Sequence, residues 1–126
     1  MKPTFSSGWR RSVQPRKQRK FVAGAPLHVR KSMLSVHLSE ALRKEHGKRS
    51  AVVRKGDKVR VLRGNQKGKE GKVERVSYKD YQVFIAGVTF AKKDGSNGFY
   101  PVDPSNLMIT ELDLSDPKRK KTIERK

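Results

Sequence analysis

Residues 63–73, RGNQKGKEGKV, set Gly64, Gly68 and Gly71 among Arg63, Lys67, Lys69 and Lys72, with Glu70 the single acid. Glycine lacks the Cβ that holds a backbone away from a ligand, and it takes positive φ at little steric cost. Backbone amides in such a stretch can approach an anion, and the surrounding cations supply countercharge. The chemistry on offer is anion binding. The anion is either the phosphate of a nucleotide or the backbone of a nucleic acid.

The nucleotide reading requires G-x-x-x-x-G-K-[ST] between a strand and a long helix. Gly64 and Gly68 are separated by three residues rather than four, and Lys69 is followed by Glu70, which has no hydroxyl for a magnesium ion. The continuation KVERVSY reads as a strand. The ATPase reading fails on spacing, chemistry and context. The remaining choice is between a phosphate-binding turn and an ordinary glycine turn with solvated lysines, and the rest of the chain favours binding.

Other chemistries find little support. The absence of cysteine removes disulfides, thiolate metal sites and cysteine nucleophiles. His28, His37 and His46 recur every nine residues, which places successive histidines on opposite sides of a continuous helix. They are poor metal ligands, and no metal or cofactor is expected. Most carboxylates have a Lys or Arg within two positions, and no nucleophile, base and orienting group can be assembled. The chain is not expected to be an enzyme or to take a small-molecule substrate.

The partner follows from charge. The 126 residues carry 31 Lys/Arg against 12 Asp/Glu, net +19, with only 33% hydrophobic residues. Such self-repulsion opposes compaction, and a polyanion relieves it. No apolar run is long enough to span a bilayer, and no basic amphipathic helix has a broad apolar face, so a membrane partner is not expected. Residues 1–39 lack acids and resemble a transit peptide. Pro3, Gly8, Pro15, Gly24 and Pro26 interrupt the continuous amphipathic helix that such a signal needs.

The elements that must position these residues divide by charge. Residues 1–55 hold fifteen Lys/Arg and two acids, residues 56–112 ten and seven, and residues 113–126 six and three. The near-neutral middle is able to fold by itself, and the flanks read as solvated or partner-bound arms. Residues 1–25 show neither helical nor strand period and are expected to be an extended basic arm, disordered in free solution. Phe5, Trp9 and Phe21 among its cations suit stacking on unpaired bases. Residues 26–50 read as a short helical segment: Pro26 opens a turn, and Ser39 caps EALRKEH, which stops at Gly47. Leu38, Ala41 and Leu42 form its narrow apolar stripe.

Residues 51–112 switch to short alternating runs. Val59 pairs with Val61, Val83 with Ile85 and Tyr81, Val88 with Phe90, and Leu107 with Ile109. Asp94-Gly95 marks a hairpin. Val73 and Val76 break the alternation, and a bulge near Glu74 or Arg75 returns both to the core. Five or so such strands predict a mainly β fold built on a small closed or nearly closed barrel. Residues 113–126 form a basic tail.

KGDKVRVLRGNQKGKEGKVERV, residues 55–76, resembles a KOW motif: a strand, a glycine–lysine loop and a second strand. The motif occurs on SH3-like barrels in ribosomal proteins and transcription elongation factors. The stretch from QPRKQRKFVAGAPLHVRK to RSAVVRKGD, together with FYPVDPSNLMITELDL and DPKRKKTIERK, narrows it. These segments are similar to the archaeal and eukaryotic large-subunit ribosomal protein of the L-twenty-four family, whose eukaryotic member is numbered twenty-six. The resemblance runs from about Gln14 to Lys126. It implies a cytoplasmic, structural RNA-binding protein of the large subunit. Such a protein contacts the 5′ domain of large-subunit ribosomal RNA early in assembly, beside neighbouring ribosomal proteins near the polypeptide exit tunnel. By motif position Gly64, Lys67, Gly68 and Gly71 take the family's loop role, and PRKQRK that of its extended arm. The alternative is a transcription elongation factor, a class that usually carries the motif in longer multidomain chains.

The candidate RNA contacts are Trp9, Arg10, Arg11, Arg16, Lys17, Arg19 and Lys20 in the arm, and Arg30, Lys31, Lys48 and Arg49 in the helical segment. In the barrel they are Arg54, Lys55, Arg63, Gly64, Lys67, Gly68, Lys69, Gly71, Lys72, Lys92 and Lys93. Lys118 and Arg119 complete the set in the tail.

Overall fold

The computed structural model describes residues 5–6 and 11–125. Trp9 and Arg10 lie outside the described residues. The first element corrects the expectation of an extended arm: Pro15–Gly24 is an α-helix, α1. Pro15 sits at its first turn, where a missing N–H costs nothing and a fixed φ favours the helix. Gln18, Phe21 and Val22 are half-buried at i, i+3 and i+4, one helical face, whereas Arg16, Lys17, Arg19 and Lys20 are exposed.

Leu27–Met33 forms α2, and Ser35–Leu38 forms β1. Glu40–His46 forms α3, with Ser39 at the N-cap position and Gly47 ending it at φ +65°. Ser50–Val52 forms β2. The segment expected to be helical therefore contains a strand, β1, between its two helices, and β2 begins at its last residue. Val36 and Leu38 alternate inward along β1 and are buried. Leu38 thus belongs to a strand, Ala41 is exposed, and Leu42 packs against the core. β1 draws its ladder bonds from distant partners, antiparallel to β2 and parallel to a strand near the end of the chain, which local periodicity does not report.

Lys58–Val61 (β3), Glu70–Ser77 (β4) and Gln82–Ile85 (β5) follow, then Thr89–Ala91 (β6), Asn97–Phe99 (β7) and Leu107–Glu111 (β8). Six strands form one sheet in the order β2-β1-β8-β3-β4-β5, and β6 pairs with β7 alone. The inward residues Val59, Val61, Val73, Val83, Ile85, Leu107 and Ile109 join Leu34, Val36, Leu38, Val53, Val88 and Val102 in one core. Each such side chain taken out of water contributes about 1.5–3 kcal/mol.

The anticipated bulge is present. The β4–β5 register shifts between Val73 and Arg75, so Val73 opposes Ile85 and Val76 opposes Val83. β4 bends there and serves β3 with its first half and β5 with its second. The ladders do not join β5 to β2, so hydrogen bonding leaves the sheet unclosed rather than forming a complete barrel. Among the described residues, the edge beyond β5 takes only the two reciprocal bonds between Val83 and Val102, at 2.9 and 3.0 Å. Pro101 directly precedes Val102 and Pro104 follows two residues later, and both lack the N–H groups that a continuing strand donates.

Gly71 lies in β4 two residues before this bend. A Cβ there would collide with the Ala86 carbonyl oxygen. Backbone cannot yield as a flexible side chain can, so Gly71→Ala is expected to lose about 1–3 kcal/mol. Urea denaturation checks it: an unchanged midpoint would show that β4 and the Ala86 turn separate freely.

The β6–β7 hairpin turns at Lys92–Ser96, where the Lys92 amide donates to the Ser96 carbonyl at 2.8 Å. Val88 is buried but Phe90 is 44% exposed, against the expectation that both face the core. The hairpin pairs only with itself, and Phe90 packs over the cross-strand Gly98.

The chain closes with α4, Pro117–Glu124. Asp116 caps it by accepting from the Lys118 amide at 3.0 Å, and Pro117 opens its first turn. Arg119 and Ile123, one turn apart, are buried. The Arg119 guanidinium meets Asp57, which is fully buried, in a bidentate pair. It also donates to the Asp113 and Val52 carbonyls at 2.8 and 3.1 Å. The Asp57 carboxylate further accepts from the Arg54 and Asp113 amides, both at 3.0 Å.

Candidate nucleic-acid interface

The 62–69 loop joins β3 to β4 and is held as one compact turn. Gly64 and Gly68 take φ +91° and +88°, the region that glycine alone reaches without strain. The Gly68 amide donates to Val61, the Lys67 amide to Gly64 and the Lys69 amide to Gln66, at 2.8, 3.1 and 3.2 Å. Those three amides serve the turn, so they do not cradle a phosphate. Gly71 has ordinary strand geometry and fills a close approach instead. What the loop presents outward is side-chain charge: Arg63, Lys67 and Lys69 are exposed. Among the described residues none of these three is within 4.0 Å of a carboxylate.

α1 presents a second cationic face. At about 100° per residue, Arg16, Lys17, Arg19 and Lys20 spread over about 160° of its circumference, opposite Gln18 and Val22. Two residues hold its C-terminal end, Tyr81 just before β5 and Arg30 on α2. The Tyr81 hydroxyl donates to the Val22 carbonyl at 2.8 Å. Arg30 donates to the Ala25 and Ala23 carbonyls at 2.8 and 2.7 Å and stands 5.9 Å from the Tyr81 ring centre. The rings of Phe5 and Phe21 stack at 5.0 Å, tilted by 39°. Phe21 is thus part of an intramolecular contact in this conformation.

The other predicted cations divide. Arg11, Lys31, Arg49, Lys55, Lys72, Lys92, Lys93 and Lys118 are exposed. Lys72 on β4 lies directly opposite Lys58 on β3, itself 3.6 Å from Glu111. Four cations are already occupied. Arg30 staples α1, and Lys48 donates to the Thr122 carbonyl at 2.7 Å. Arg54 pairs with Asp116 at 2.7 Å, a bond that holds the Asp116 carboxyl below its ordinary pKa with help from the Lys118 amide. Arg119 is 4% exposed and bound to Asp57, so its assignment as an RNA contact is withdrawn. A buried guanidinium with all its neighbours in place has nothing left to offer a phosphate. Among the described residues no cluster of three or more His, Asp or Glu could hold a metal, and no helix is long and apolar enough to cross a membrane.

The family model for the ribosomal proteins called L26 in eukaryotes, together with their archaeal L24-type counterparts, matches residues 12–126. The large ribosomal subunit protein uL24 of Methanosphaera stadtmanae is 50% identical over 115 residues, covering 91% of this chain and 98% of that protein. The chain belongs to this ribosomal-protein family.

Family membership places the chain among structural ribosomal proteins and not among enzymes. The matched residues include α1 and α4, helices where the sequence predicts basic arms. Signals for both were present. Pro15 and Pro117 each stand at a first helical position, Asp116 is a favoured cap, and Gln18/Phe21/Val22 and Arg119/Ile123 have helical spacing. Both stretches carry dense charge, and the buried face of each is only two or three residues wide. The Tyr81 and Arg30 contacts with α1 had no local signal, since their partners are backbone carbonyls fixed by tertiary packing.

Proposed function

We propose that this chain is a structural constituent of the large ribosomal subunit that binds large-subunit RNA. The 62–69 turn acts as a KOW-type loop on a bent sheet of the SH3-like class, and α1 is a second cationic contact. The observation that carries the reading is the exposed, unpaired charge of Arg63, Lys67 and Lys69 on an ordered turn in a member of this family. As the resemblance implies, the site is the 5′ domain of that RNA, engaged early in assembly near the polypeptide exit, with neighbouring ribosomal proteins alongside in the cytoplasm. Affinity comes mainly from cations neutralising phosphates and releasing counterions. Specificity comes from RNA shape and from a few unpaired bases.

Lys67→Glu combined with Lys69→Glu tests this. Both residues are exposed, so circular dichroism and thermal midpoint are expected to stay at the wild-type values. Affinity for large-subunit RNA is expected to fall roughly a hundredfold, because two attractions become two repulsions. Unchanged RNA affinity in a folded double variant rules the loop out as a contact. Co-sedimentation of the wild-type chain with large subunits after a high-salt wash checks the wider reading.

A further inference from the structure

A cleft of about 220 Å³ lies between the 62–69 turn and the segment after β7. Its lining includes Val61 and Val102, both core residues, and the exposed Pro101. Arg63, Asn65 and Gln66 form one wall, and Tyr100, Asp103 and Asn106 the other. Both walls are fixed in advance. The Leu62 amide donates to the Asn106 carbonyl at 2.8 Å, tying one wall to the other. A short 3-10 turn at Pro104–Asn106 holds its own side, with the Asn106 amide bonded to Asp103 at 3.0 Å.

Two features point to the occupant. Gln66 Oε1 is buried and has no hydrogen-bond partner among the described residues. A buried acceptor left unpaired is costly, and a small rotation of the amide toward the cleft offers relief once a donor arrives there. Asp103 is the one carboxylate in the lining, and it disfavours a phosphate inside the cleft. The cleft is smaller than the roughly 300 Å³ at which sites for drug-sized ligands begin, which suits a single flat ring system. A mainly polar lining with amide and carboxylate acceptors and an exposed aromatic ring beside it together match a nucleobase. Its faces are apolar, and its rim carries N–H groups.

We infer that this cleft receives one unpaired nucleobase whose edge donates N–H groups to Gln66 and Asp103. Tyr100 lies against the base, and Arg63 takes the adjoining phosphate. The inference rests on the RNA-binding reading and adds base recognition to it. Backbone contacts alone need no such cavity.

The probe is guanosine 5′-monophosphate, whose base has adjacent N–H donors, with ribose 5-phosphate as the control that lacks a base. Each is titrated into the isotope-labelled full chain, and the side-chain amide signals of Gln66, Gln82 and Asn106 are followed by NMR. Saturable shifts with the nucleotide and none with the sugar phosphate are expected. Gln66→Leu keeps the bulk, removes the acceptor and is expected to fold at least as well, because it relieves an unpaired buried group. It should weaken nucleotide binding about tenfold, the loss of one hydrogen bond. No saturable shift, or equal shifts from ribose 5-phosphate, overturns the inference. So does wild-type nucleotide affinity in the leucine variant. The RNA-binding reading is judged separately by salt-dependent binding of large-subunit RNA, which survives loss of the cleft and fails only if the cationic contacts are wrong.

Discussion

Arg119→Ala is expected to destabilise the fold by about 3–5 kcal/mol, the usual cost of removing one partner from a buried ion pair. The reason lies in what remains. Asp57 is fully buried, and its carboxylate would keep only the Arg54 and Asp113 amides as donors. The Val52 and Asp113 carbonyls would also lose the guanidinium. The pair ties β2, the turn before β3, the end of β8 and α4, so its loss releases four parts of the chain together. Urea denaturation of the purified variant reads the effect. Asp57→Asn with Arg119→Met is the companion. It removes both charges and is expected to recover part of the loss, since two neutral groups are cheaper to bury than one unpaired ion. A single variant with wild-type stability would mean that water reaches Asp57 and the latch is not closed in solution. An RNA-contact role for Arg119 predicts the opposite pattern, with stability kept and RNA affinity lost.

Replacing Arg16, Lys17, Arg19 and Lys20 together by Gln is expected to lower the slope of log affinity against log salt by about 3, at 0.7–0.9 per phosphate contact. At about 0.1 M salt that corresponds to a loss of about a thousandfold, because each contact contributes a little under tenfold there. Gln has nearly the helix propensity of the residues it replaces, so α1 is expected to persist. The half-buried Phe21 and Val22 and the Tyr81 bond to the Val22 carbonyl are untouched. Circular dichroism verifies the helix, and filter binding of large-subunit RNA across a salt series gives the slope. An unchanged slope would show that the helix faces solvent in the complex. Deleting residues 1–22 is a blunter version, because it also removes the partner of Tyr81.

The difference between the two sets of variants follows from burial. A lysine on the 62–69 turn or a cation on α1 is already in water, so neutralising it leaves the free protein alone and changes only what binds. Arg119 carries the same charge, but the protein itself has used it. Sequence types the residue and counts the charge; it does not show whether an acid from a distant part of the chain already neutralises it.

The strands of the middle region were legible because their inward residues alternate, and the bulge was legible because Val73 and Val76 break that alternation. The Asp94-Gly95 hairpin was legible from turn chemistry. β1 and β2 were not, since such short strands owe their existence to pairing across the fold. Phe90 was misplaced because alternation assigns a face but not what the face meets. In the candidate site, the outward charge of Arg63, Lys67 and Lys69 was readable from composition. The internal use of the loop amides and the close backbone approach at Gly71 were not.

By itself the sequence determined that this is a polycation without cysteine chemistry, with a glycine–lysine turn between two strands and a charge that a polyanion would balance. Net charge, residue type and short-range periodicity are properties of the chain, and they hold in any conformation. Only the tertiary structure decided which cations remain available, that α1 and α4 dock on the sheet, and that a lined cleft opens beside the turn. Those outcomes depend on long-range contacts, in which Asp57 finds Arg119 and Tyr81 finds the Val22 carbonyl, and no local pattern encodes them.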